Sequence, residues 1–133
     1  MVPPALSPRW LLVLLVTAAL WTGLAMLAAY LNTGQGPTLE TLRGAALSLS
    51  LIAAVPVVFG FLGARLGFLL AQVGLIIGYL LLLRAFAGPN TGGFEDLAAV
   101  ATFLMLGAIG LGVGTLIDIV RYFVGKRRDA GRE

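Results

Sequence analysis

The chain has 133 residues, 59% of them apolar and 11% charged, with a mean hydropathy of +1.01 and a formal net charge of +3. A soluble domain carries roughly 25% charged residues, so this composition excludes a water-soluble fold around a single core and makes lipid the solvent for most side chains. Neither Cys nor His is present, which removes disulfides, thiolate chemistry, imidazole-held haem or zinc, and Ser-His-Asp catalysis together.

Four apolar runs approach or exceed the roughly 18 residues needed to cross a hydrocarbon layer of about 30 Å. The first, Trp10 to Leu31, follows a short leader ending in Arg9. It is longer than a signal-peptide core and no Ala-x-Ala site follows it, so it is expected to be an uncleaved span. Trp10 and Tyr30 stand where interfacial aromatics are expected and Trp21 lies mid-span, as a packing residue does. Ala18, Thr22, Ala25 and Ala29 fall on one face. No acid lies between Trp10 and Leu31, which separates the chain from small multidrug exporters.

Asn32 to Pro37 is dense in turn formers. Pro37 suits an early helical position, and the second helix is expected to run through Glu40 and Arg43, enter lipid near Ala45 and leave it near Leu62. Pro56 predicts a kink, with Ser48 and Ser50 available to bond the backbone. Only Gly63, Ala64 and Arg65 separate this run from the next, which is enough for a helical hairpin.

In the third run, Leu66 to Leu83, Gly67, Ala71, Gly74 and Gly78 repeat a small-residue pattern on one face. Gln72 and Tyr79 lie on another. Two readings of Gln72 stay open: an interhelical hydrogen bond, or a residue lining a permeation path. Arg84 to Phe94 reads as the second loop, after which Glu95 and Asp96 suit the positive end of a new helix dipole.

The last run, Leu97 to Val120, places Gly107, Gly110, Gly114, Asp118, Arg121 and Gly125 within an arc of about 80°. The face is small first and charged afterwards. Asp118 is the sole acid within an apolar run, and three roles are weighed for it: an i,i+3 ion pair with Arg121, a contact to a partner subunit, or an ion or proton site. The helix is expected to continue past Arg121. Lys126, Arg127 and Arg128 then offer either an orientation signal or a site for anionic lipid headgroups. Gly110, Gly112 and Gly114 are not a nucleotide loop, because no strand precedes them.

The termini and the tight hairpin carry Arg9, Arg65, Arg121, Lys126, Arg127, Arg128 and Arg132, whereas the other two loops carry Arg43 and Arg84. By the positive-inside rule both termini are expected in the cytoplasm, and the pI near 10 reflects topology rather than nucleic acid. The expected fold is all-α: one domain over residues 1–133, a polytopic membrane protein with four transmembrane helices (about 10–31, 45–62, 66–83 and 97–120) in two antiparallel hairpins, and a basic cytoplasmic tail over 121–133. The expected location is the cell inner membrane. The expected function is that of an accessory, assembly or structural subunit packing on a larger membrane complex. The alternative is a homo-oligomeric transporter or channel for a small solute or ion. No catalytic, cofactor or metal site is expected, and the expected partners are lipid together with a membrane protein or further copies of the chain.

Overall fold

The computed structural model describes residues 3–36, 38–86 and 93–130, with the backbone alone at 32–33, 86, 93–97 and 127–130. It is built from helices α1 (Arg9–Thr33), α2 (Leu39–Phe61), α3 (Arg65–Phe86) and α4 (Gly93–Ala130). Each is long and apolar enough to cross a membrane. Long apolar side chains point outward all round, as at Leu15, Leu51 and Leu116, which suits a bundle whose surroundings are hydrocarbon.

Local chemistry sets the helix ends. α1 stops at Gly34, whose φ of +67° lets its N–H reach the Tyr30 carbonyl at 2.8 Å; that left-handed cap is where glycine has no steric penalty. α2 starts behind Thr38, whose hydroxyl accepts the Thr41 N–H at 3.2 Å. The helical role expected of Pro37 lies outside the described residues. α2 continues as helix through the buried Pro56, while Ser48 and Ser50 form no hydroxyl bond among the described residues. α3 extends past Leu83 to Phe86 and so takes in Arg84, a cation in its last turn that favours the negative end of the dipole. Most of the loop expected over 84–94 lies outside the described residues. α4 is 38 residues long, roughly 57 Å at the helical rise, against a hydrocarbon layer of about 30 Å. It is therefore longer than one crossing requires, and it stays helical through its basic residues to Ala130.

α3 is the centre of the bundle. α4 packs chiefly on α3, α1 chiefly on α2, and α2 and α1 also meet α3. Two buried clusters fill the interior. One joins Trp21, Ala28, Leu75, Tyr79, Leu82 and Phe103; the other joins Trp10, Val57 and Phe68. The Trp21 and Phe103 rings meet edge to face at 5.5 Å, and Trp10 meets Phe68 at 5.2 Å. Trp10 is 2% exposed, a ring packed inside the protein at the start of α1. The physical reason is Gly60, which lacks a side chain and lets the indole lie against α2, while the indole N–H donates to the Pro4 carbonyl at 3.0 Å.

The α3–α4 contact is a backbone seam. A Cβ added at Gly74 would strike the Leu106 carbonyl, and one at Gly110 would strike that of Leu70. At Gly67 it would meet the Thr115 hydroxyl at 2.6 Å, at Gly78 the Phe103 Cα at 2.7 Å, and at Gly114 the Gly67 Cα at 2.6 Å. Gly107 receives the Leu75 side chain, and Ala71 is buried between these contacts. The register descends along α4 as it ascends along α3, so the two helices run antiparallel. With no hydrophobic force between helices in lipid, this approach supplies the attraction through van der Waals contact and lets neighbouring backbones touch.

Gly112 and Gly23, by contrast, have nothing within 4 Å of an added Cβ. Gly74→Ala and Gly110→Ala are expected to destabilise the protein by about 1–3 kcal/mol each through overpacking. Gly112→Ala and Gly23→Ala are expected to be neutral or to stabilise by up to about 1 kcal/mol, the helix-propensity gain. Reversible unfolding in mixed detergent micelles measures the difference in sign, and equal behaviour of the two pairs would refute the seam.

Candidate functional site

The polar side chains inside the spans are the natural place to look for a site. Asp118 shows most. α3 begins at Arg65 with no acid in its first turn and with Ala64 before it, so it has no side chain of its own to take up the free amides of its first turn. Asp118 of α4 supplies one. Its carboxylate accepts the Leu66 N–H at 2.8 Å and the Gly67 N–H at 3.4 Å. The Arg65 N–H goes to the Gly63 carbonyl and that of Phe68 to Ala64, so the first turn is fully served. A carboxylate at this point is also favoured by the helix dipole. Among the described residues Asp118 forms no ion pair with Arg121; Arg121 is exposed.

The other side of the same turn is closed in a matching way. The last carbonyls of α2, at Val58, Phe59 and Gly60, accept from Leu62, Ala64 and Gly63, and that of Phe61 accepts the Leu6 N–H at 2.9 Å. Gly63 makes the turn with φ +111°, and Leu6 adopts a left-handed φ of 59°, a strained choice for a branched residue. One strand of the leader and one carboxylate of α4 thus complete a three-residue turn that cannot complete itself.

Gln72 and Tyr79 both face α1. The Trp21 indole N–H donates to Gln72 Oε1 at 3.1 Å, and the Tyr79 hydroxyl donates to the Leu24 carbonyl at 2.8 Å. These two bonds pin the mid-section of α1 to α3. Gln72 Nε2 and the Thr115 hydroxyl are buried and have no hydrogen-bond partner among the described residues. Two hollows between the helices are apolar, and neither Gln72 nor Thr115 lines them. One of about 190 Å³ lies among Ile52, Pro56, Leu75, Leu104, Gly107 and Ala108, and one of about 170 Å³ among Trp21, Leu49, Ile52, Tyr79, Leu82 and Phe103. Among the described residues no group of three His, Cys, Asp or Glu side chains stands close enough to hold a metal.

At the basic end, Lys126 is exposed, and Arg127 and Arg128 continue the α4 backbone with their side chains outside the described residues. Sequence reasoning missed four participants: the Leu66, Gly67 and Leu6 amides and the Leu24 carbonyl. None carries a side-chain signature. Thr115 was also missed, although its place one residue after Gly114 set it on the edge of the small face. The chain matches no family model, no curated protein and no solved structure.

Asp118→Ala is expected to cost about 0.5–2 kcal/mol, the value of a lost helix cap, and to raise amide exchange at Leu66 and Gly67. Asp118→Asn keeps an acceptor and should retain most of the stability. A double-mutant cycle of Trp21→Phe with Gln72→Leu should return a coupling near 0.6 kcal/mol, about the average for a hydrogen bond between membrane helices.

Proposed function

We propose that this chain is an accessory, assembly or structural subunit that packs on a larger complex in the cell inner membrane, acting through contact rather than chemistry. One observation carries the reading. Trp21, Gln72, Tyr79 and Asp118, the side chains best suited to a path or a reaction, each bond to another part of the same chain. Spending polar groups on internal bonds gives a rigid bundle and leaves an apolar exterior. The glycine faces of α3 and α4 are occupied by each other, so a protein partner would meet the outer surfaces of α1 and α4, where Gly23 and Gly112 stand open. We place the helices as two antiparallel hairpins with both termini in the cytoplasm, on the seven-to-two division of cations between the two sides.

A second reading, a homo-oligomeric transporter or channel, is favoured by one observation: Gln72 Nε2 and the Thr115 hydroxyl are buried without a partner, and an unpaired polar group is costly away from water. Several copies would then be needed to enclose a path.

Purification in mild detergent separates the two. The subunit reading expects a stoichiometric membrane partner that Gly112→Phe or Gly23→Phe releases, and no solute flux from liposomes holding this chain alone. A pure oligomer whose flux falls in Gln72→Ala or Thr115→Val establishes the second reading instead.

A further inference from the structure

We propose that the end of the bundle carrying the α2–α3 turn binds the phosphate of an anionic phospholipid headgroup through Arg9, Arg65 and Arg121. Three sets of contacts bring these arginines to one level. Trp10, next to Arg9, lies against Gly60 of α2 and edge-on to Phe68 of α3. The Leu6 N–H bonds to Phe61 at the end of α2, immediately before the turn that leads to Arg65. The amides of Leu66 and Gly67, which follow Arg65, bond to Asp118, three residues before Arg121.

Charge at this level is unbalanced. All three arginines are exposed, and none forms an ion pair among the described residues. Asp118 is the only acid with a described side chain at this end, and its one negative charge, whose Oδ2 accepts two amides, leaves the three cations in excess. At the other end of the spans the balance differs: Arg43 stands three residues from Glu40 on the first turns of α2, close enough for the two charges to offset each other.

Depth fits a headgroup. Arg65 and Arg84 lie at opposite ends of α3, about 28 Å apart along the axis, which is near the thickness of the hydrocarbon layer. Arg65 therefore sits where acyl chains give way to phosphates. Beside it a hollow of about 270 Å³ is lined by Leu62, Gly63, Asp118, Ile119, Tyr122 and Phe123, with the two aromatics at the level that interfacial rings favour. Guanidinium groups bind phosphate through paired, charge-assisted hydrogen bonds. The source of the phosphate is a lipid of the surrounding leaflet, because the arginines lie exposed at the ends of apolar spans and line no enclosed pocket.

The test is lipid retention by native mass spectrometry, with the full chain released from micelles containing equal amounts of phosphatidylglycerol and phosphatidylcholine. Each cation near an anionic lipid contributes about fivefold in affinity, so the three together predict a preference for phosphatidylglycerol on the order of 100-fold. The triple variant Arg9→Gln, Arg65→Gln, Arg121→Gln should bring retention close to parity, while Arg43→Gln with Arg84→Gln leaves the preference as it was. Equal retention of the two lipids by the unmodified chain, a measurement that needs no variant to fold, overturns the proposal. So does a preference that survives the triple variant, one lost equally in the Arg43 and Arg84 variant, or displacement of phosphatidylglycerol by added inorganic phosphate. Headgroup binding of this kind needs no protein partner, so its outcome is separate from that of the co-purification.

Discussion

The α2–α3 turn is governed by one constraint, which is that a backbone amide or carbonyl near hydrocarbon has no water to turn to. A three-residue turn between two long helices leaves the last carbonyls of one and the first amides of the other exposed to that cost. Local bonds at Gly63 and Ala64 meet most of the demand. The remainder is met by segments far away in sequence, the Leu6 amide before α1 and the Asp118 carboxylate late in α4. The leader, α2, α3 and α4 thereby converge on a few residues.

From this anchor the interior is held by two different means. Between α3 and α4 it is the absence of side chains that matters, since glycines on both helices bring carbonyls and Cα atoms into contact. Between α1 and α3 it is large rings and polar tips: Trp21 and Tyr79 fill volume and also donate hydrogen bonds. The first kind of contact is sensitive to a single added methyl group. The second adds direction, because a bond from an indole N–H to an amide oxygen fixes the rotation of both helices about their axes.

Much of the architecture was legible because bilayer thickness converts directly into residue count. The runs beginning at Trp10, Ala45, Leu66 and Leu97 could be counted off, and helices cover them, with longer ends at Phe86 and Ala130. Faces were legible too, since a period of 3.6 residues places Gln72 and Tyr79 together whatever they touch. The partners were not. Asp118 offered an obvious neighbour in Arg121, three residues on, yet its Oδ2 accepts from amides 51 and 52 residues upstream, and backbone donors leave no trace in a sequence. The partners of Trp10 were hidden for a related reason. Amphipathic rings at a span end usually seek headgroups, but Pro4 provided an internal acceptor and Gly60 a flat bed, and neither follows from hydropathy.

The long-range cap on α3 also bears on how the protein is made. Leu66 and Gly67 are synthesised 52 and 51 residues before Asp118, so until then their amides lack this acceptor and are left to water or lipid phosphate. Synthesis of the last helix supplies the missing acceptor and the opposing glycines together. The bundle is therefore completed from its C-terminal end, and a truncated product lacking that helix would carry an unsealed hairpin for quality-control proteases to recognise.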